Sequence, residues 1–154
     1  MPSPTGWSAT ASIAPSLNNA IDSLLGDTRW SGATVTYSFP GYASSWSTNA
    51  FSGYGSWASD ESPWSTSFAP LSNADKASFR AALSAWSGVA NLQFIETPDS
   101  SSSVGDIRAA YGYSADMANA EAAAYGPSNT PVAGDIWFNP FANIASAVWS
   151  AGSF

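Results

Sequence analysis

The chain has 154 residues, 45% of them hydrophobic and 14% aromatic, and it contains neither histidine nor cysteine. Those two absences exclude a Ser-His-Asp or Cys-His relay, a zinc site with imidazole or thiolate ligands, and a histidine pH switch. The net charge is −7, and Arg29, Lys76, Arg80 and Arg108 are the whole basic complement; nucleic acid and anionic membrane are disfavoured as partners, because both are held by clustered Lys and Arg.

The aromatic content, with only 10% charged residues, is that of a chain that buries one core rather than of a disordered one. No stretch approaches the ~20 apolar residues of a bilayer span. The start, Met1-Pro2-Ser3-Pro4-Thr5, lacks the basic segment and apolar run of a signal peptide. Residues 1–15 read as a Pro- and Ser-rich leader or propeptide-like segment, and residues 16–154 as one domain.

In chain order, Leu17, Ala20, Ile21, Leu24 and Leu25 recur at helical spacing before Gly26, which predicts a short helix with one face on the core. Residues 33–39 alternate Val35, Tyr37 and Phe39 with Thr34, Thr36 and Ser38, the pattern of a half-buried strand. After Pro40 and Gly41, a stretch rich in Ser and Gly carries Trp46, Phe51, Tyr54, Trp57, Trp64 and Phe68. It reads as a long loop whose aromatics pin it to the core, with stacking on sugar rings as the alternative use of the same side chains.

Ser72-Asn73-Ala74-Asp75 matches a capping box, and Phe79, Ala82, Leu83, Trp86, Val89 and Ala90 continue it as an apolar stripe, predicting a helix over 72–90 buried along one side. Residues 92–97 and 106–111 read as strands separated by a Ser-rich turn. Glu121-Ala122-Ala123-Ala124-Tyr125 favours helix by propensity, yet Gly126 and Pro127 cut it short, so its local reading is ambiguous. Residues 134–139 read as a last strand with Ile136 and Phe138 on one face. The sum is an α+β domain without repeats.

Chemistry within the chain would have to come from carboxylates. The eleven acids show no motif spacing. Asp60-Glu61, or Asp99 with Asp106, are candidate oxygen donors for calcium, but the preferred reading of all these acids is as solvated loop and cap residues. There is no G-x-S-x-G elbow and no Gly-rich phosphate loop.

Six segments in the same order resemble the serralysin family, secreted zinc metallopeptidases of the metzincin type. They are Ile21-Asp22-Ser23-Leu24-Leu25 through Arg29-Trp30, Val35-Thr36-Tyr37-Ser38-Phe39, residues 83–94 (Leu-Ser-Ala-Trp-Ser-Gly-Val-Ala-Asn-Leu-Gln-Phe), Gly105-Asp106-Ile107-Arg108, Ala124-Tyr125 with Pro127, and Gly134-Asp135-Ile136-Trp137-Phe138-Asn139. The resemblance implies the upper, incomplete part of a metzincin catalytic domain: a twisted mixed β-sheet backed by the 72–90 helix. It makes Ala122, Ala123, Ala124 and Tyr125 the edge strand that binds extended substrate through main-chain hydrogen bonds. The family commonly has a large aromatic where Ala123 stands and a residue other than Gly126 before the proline.

In such enzymes the zinc helix, H-E-x-x-H-x-x-G-x-x-H, follows this region, then a Met-turn and calcium-binding repeats. This sequence reaches Phe154 without that motif. The expectation is therefore the N-terminal substrate-cleft portion of a zinc metalloendopeptidase, inactive alone and with no metal of its own. A complementary C-terminal catalytic fragment would be its partner, peptide or protein its substrate, and zinc and calcium the cofactors of the complete enzyme. The family resemblance further implies an extracellular enzyme, exported by a type I-like route. The alternative is a stand-alone noncatalytic module that binds a peptide or protein. An incomplete sheet is also expected to expose apolar surface, including Ile144, Val148, Trp149 and Phe154, and to associate.

Overall fold

The computed structural model describes residues 1–22, 25–55, 67–142 and 149. Five strands form one mixed sheet: β3 (Thr34–Ser38), β4 (Gln93–Glu96), β5 (Ile107–Tyr111), β6 (Ala122–Ala124) and β7 (Asp135–Phe138), in spatial order β4-β3-β5-β7-β6. Neighbours from β4 to β7 run parallel, and β6 alone is antiparallel, against β7 at the edge. A two-stranded antiparallel ribbon of β1 (Thr10–Ser12) and β2 (Thr28–Trp30) stands apart in sequence from this sheet. The expected α+β architecture holds at this level, with a mixed sheet and few helices.

The sheet has two chemically different faces because side chains alternate along each strand. On one face Tyr37, Ala109 and Tyr111 are buried with Ile107, Ile136 and Phe138 around them, so Ile136 and Phe138 do share a face. The helix α2 (Asn73–Val89) covers this face through Phe79 and Leu83. Edge-to-face ring contacts tie the layers together, Phe39 to Phe79 at 5.6 Å and Phe79 to Phe138 at 6.4 Å. The opposite face carries Ser38, Arg108, Ala110, Asp135 and Trp137, all buried. It is roofed by the loop after β3, whose Trp46, Tyr54 and Phe68 pack on Trp137. These aromatics pin the loop as the sequence predicts; Phe51 is fully exposed instead, and Trp57 and Trp64 lie outside the described residues.

α2 begins where the sequence places it. The Ser72 hydroxyl accepts from the Asp75 N–H at 3.2 Å, and the Asp75 carboxylate accepts from the Ser72 N–H, also at 3.2 Å. Its expected burial along the whole stripe is corrected. Only Phe79 is fully buried, whereas Trp86 and Val89 are 63% and 82% exposed and join no described core cluster. The sheet meets the first half of the helix and leaves the second half uncovered.

The core docking expected of the short helix around Leu17–Leu25 is also corrected, although helix does form there. One turn forms, α1 (Asn19–Asp22), and Leu17 is 95% exposed with φ of 64°. Short polar side chains set where the turn begins, with Asn18 at the N-cap position. The Asp22 carboxylate accepts from the Ser16 N–H and hydroxyl, and the Asn18 side chain accepts from the Ala20 N–H. A left-handed residue at 17 then keeps the apolar positions off the core; Leu24 lies outside the described residues.

Pro2 and Ser8, near the start of the chain, are tied to the segment leading into β5. The Val104 N–H donates to the Pro2 carbonyl at 2.9 Å, and the Ser8 hydroxyl donates to Asp106. Near the other end, Trp149, expected on an exposed apolar surface, packs on Phe138 with ring centroids 4.4 Å apart and on Tyr111 at 6.3 Å. Aromatic surface on the helix side of the sheet offers it more burial than solvent does. Ile144, Val148 and Phe154 lie outside the described residues.

Candidate functional site: the β6 edge and the polar layer behind it

The residues singled out for substrate contact come together at the sheet edge. Ala122, Ala123 and Ala124 are β6, and Tyr125 follows it directly. Three alanines form a strand here because β7 supplies a ladder: Ala122 lies opposite Phe138, Ala123 opposite Trp137 and Ala124 opposite Ile136. Beyond the strand, the Asn139 N–H donates to the Glu121 carbonyl at 2.8 Å, and the Tyr125 N–H to the Asp135 carbonyl at 2.9 Å. Hydrogen-bonded and non-bonded pairs alternate in an antiparallel ladder. Residues 121, 123 and 125 therefore turn their main-chain groups toward β7, while Ala122 and Ala124 turn theirs outward. Both of these alanines are exposed, and neither has an outward main-chain partner among the described residues.

Side chains along the edge follow the same alternation. Ala123 points to the roofed face and packs against the cluster of Tyr54, Ala110, Met117 and Trp137. Tyr125 sets its ring edge-on to Tyr54 at 6.0 Å. Burial, then the Asp135 and Asp116 charges, push its phenol up. At the amino end of β6, a cavity of about 510 Å³ opens between Tyr113, Asn119, Glu121 and Phe141. Asn139 builds its wall by donating to the Met117 and Ala120 carbonyls.

Behind the edge lies a layer of buried charge. The expectation that the acids are solvated is corrected for Asp99, Asp106 and Asp135. Arg108 grips Asp99 with two bonds of 2.9 Å and donates to the Ser45 carbonyl at 3.0 Å. Ser38 and Ser44 donate to the same carboxylate at 2.8 and 2.6 Å, and the guanidinium lies 3.7 Å from the Trp46 ring centroid. Asp106 accepts from the N–H and hydroxyl of Thr36, both at 2.7 Å. These carboxylates leave solvent because strand and loop donors replace water.

Asp135 is held differently. It is 1% exposed and accepts one side-chain hydrogen bond, from the Tyr54 hydroxyl at 2.5 Å, while Trp137 Nε1 donates to that hydroxyl at 2.8 Å. Its second oxygen, Oδ1, has no hydrogen-bond partner among the described residues. Burial pushes the Asp135 carboxyl up from 3.8 to about 7, against the pull of the Arg108 charge and the Tyr54 hydrogen bond. Burial and the Asp135 charge likewise push the Tyr54 phenol well up.

These donor sets do not fit a resident metal. Asp99, one of the calcium candidates, spends both oxygens on Arg108, Ser38 and Ser44. Asp106 is committed to Thr36 and Ser8; Asp60 and Glu61 lie outside the described residues. Among the described residues no three acids converge, and a catalytic zinc would find no imidazole or thiolate in this sequence.

The Tyr54–Asp135 contact escapes the linear pattern because it spans 81 residues, and the Arg108–Asp99 pair, only nine residues apart, because no regular period links a turn acid to the strand that follows it. The available signal was register: with Ala110 inward on β5, Arg108 falls on the same face, and a lone Arg there needs a buried acid. No family model matches the chain, and no curated protein matches it.

Proposed function

We propose that the β6 edge binds extended polypeptide by strand addition. In this reading the chain is the N-terminal substrate-cleft portion of a secreted, serralysin-type zinc metalloendopeptidase. The observation that carries the proposal is the outward-facing main chain of Ala122 and Ala124 on an exposed edge strand. The four parallel strands, the antiparallel edge and the covering helix agree with the metzincin upper sheet that the resemblance implies. Because the chain has no histidine, the zinc ligands and catalytic glutamate belong to a C-terminal part outside residues 1–154. Calcium is assigned to the complete enzyme in the same way.

Two outward alanines offer up to four main-chain hydrogen bonds. At about 0.5–1.5 kcal/mol each they contribute roughly 2–6 kcal/mol, less the cost of ordering the peptide. Binding to this chain alone is thus of order millimolar, a range read well by NMR. Titration with a blocked peptide of alternating Val and Thr is expected to shift the Ala122 and Ala124 amides first. Ala124→Pro removes an outward donor that β7 does not use, so the fold is retained and the shifts are lost. Equal binding by wild type and A124P sinks the edge reading. Mixing the chain with a polypeptide carrying the zinc helix and assaying zinc-dependent proteolysis tests the enzyme half. Peptide binding without association or activity would leave a noncatalytic binding module.

A further inference from the structure

The candidate site leaves Asp135 without a role, although no other described acid is so completely buried with so little compensation. Among the described residues its single side-chain donor is Tyr54, and Oδ1 has no hydrogen-bond partner. The nearest opposite charge on the neighbouring strand, Arg108, is turned to Asp99 in a bidentate pair. The charged and titratable groups that face Asp135 are therefore Tyr54 from the loop after β3, Arg108 from β5, Asp99 from the segment before β5, and Tyr125 at the end of β6. A carboxyl so placed is pushed toward its neutral form, since its ionised form lacks both water and a counter-ion of its own.

We propose that Asp135 is a pH-sensitive latch that fixes the Tyr54 segment of the roof loop and the Tyr125 end of the β6 edge while it is neutral, and eases their opening once it ionises. The geometry links all three residues. Tyr54 donates to the Asp135 carboxyl, the Tyr125 N–H donates to the Asp135 carbonyl at 2.9 Å, and the two tyrosine rings meet edge-on at 6.0 Å. Any opening that hydrates Asp135 returns its carboxyl from about 7 to the ordinary value of 3.8. By linkage, the equilibrium constant for such opening rises about tenfold per pH unit between about 4 and about 7, then levels off. The effect on peptide rests on the strand-addition reading above; the latch itself does not.

The test uses the whole chain with carbon-13 in the Asp carboxyls. The Asp135 resonance, identified by its absence in Asp135→Asn, is expected to titrate near 7. Amide exchange at residues 41–55 and Tyr125, corrected for its intrinsic pH dependence, should lose protection from pH 5 to 7 in wild type and stay level in D135N. Tyr54→Phe, which removes the one donor, should move the Asp135 midpoint higher still. An Asp135 midpoint near 4, or the same protection profile in wild type and D135N, overturns the latch. In wild type, the Val-Thr peptide should bind the edge more weakly at pH 8 than at pH 5. A midpoint near 7 with pH-dependent opening but no peptide binding at any pH upholds the latch and rejects the strand-addition reading.

Discussion

Replacing Arg108 with Ala should cost several times what replacing Arg80 costs, although each removes one carboxylate partner. The Arg108 and Asp99 side chains are 3% and 2% exposed, whereas those of Arg80 and Glu96 are 44% and 39% exposed. Removing Arg108 leaves Asp99 charged and buried with the Ser38 and Ser44 hydroxyls as its remaining side-chain donors, a situation that costs about 3–5 kcal/mol. It also empties the space against Trp46. Removing Arg80 exposes Glu96 to water at a cost of about 0–1 kcal/mol. Urea unfolding at neutral pH, followed by tryptophan fluorescence, gives both values. Because a domain of this size has about 5–15 kcal/mol in total, R108A should shift the midpoint strongly or abolish the transition, and R80A barely move it. Raising salt should reduce the R80A effect and leave the R108A effect intact. R108M with Asp99→Asn, which removes both charges, should recover much of the loss. Equal costs for R108A and R80A, or no recovery in the double variant, would falsify the assignment of the polar layer as a buried, self-compensated unit.

Three further outcomes follow from single positions. Gly134 has φ of +79°, and a Cβ there would lie 1.9 Å from the Asp106 carbonyl oxygen; Gly134→Ala should therefore lose more than the ~1–2 kcal/mol of a left-handed alanine, read by thermal unfolding. Trp86→Ser with Val89→Ser should leave stability within about 0.5 kcal/mol, because both residues stand on the uncovered half of α2, and should lower hydrophobic-dye binding; a large destabilisation would show that the half is covered. Asp135 contributes with the sign of an acid raised on folding. Its unfolded form ionises first, so the native state binds the extra proton between about pH 4 and 7, and wild type loses about 1.4 kcal/mol of stability per pH unit there. D135N should lack that slope in urea unfolding measured at pH 5, 6 and 7.

What the sequence makes legible is what depends on neighbours along the chain. The capping box at Ser72 and Asp75, the alternation that puts Ile136 and Phe138 together, and the aromatic anchoring of the loop by Trp46 and Tyr54 are all local or periodic signals. The failures have physical causes. The pattern at Leu17–Leu25 satisfies helical spacing, but Asn18 caps the turn at Asn19–Asp22, Leu17 lies outside it at positive φ, and none of the turn's residues is buried. The stripe on α2 continues beyond the sheet, so periodicity alone does not reveal where its cover stops. Asp106 and Asp135 look like turn acids because their partners are distant in sequence, Thr36 brought up by the pairing of β3 with β5 and Tyr54 by the roof loop, while Asp99 meets Arg108 across a nine-residue turn that no periodicity reveals.

The alanine segment shows how the two faces of the sheet bear on the edge. Alone, Ala122–Ala124 favours helix by a few tenths of a kcal/mol per residue over β-branched alternatives, yet a helix this short has too few internal hydrogen bonds to offset nucleation. Pairing with β7 supplies bonds without that nucleus, and β7 is itself fixed from both sides. Ile136 and Phe138 are packed toward α2, while Asp135 and Trp137 are held by Tyr54 on the roofed side. The strand β6 adds one small inward side chain, Ala123, and leaves its outer main chain open. An edge built this way draws its order from its neighbour rather than from its own residues. Substitutions at Trp137 or Tyr54 should therefore loosen β6 more than conservative changes within β6 itself, a difference that amide exchange at Ala123 and Tyr125 would resolve.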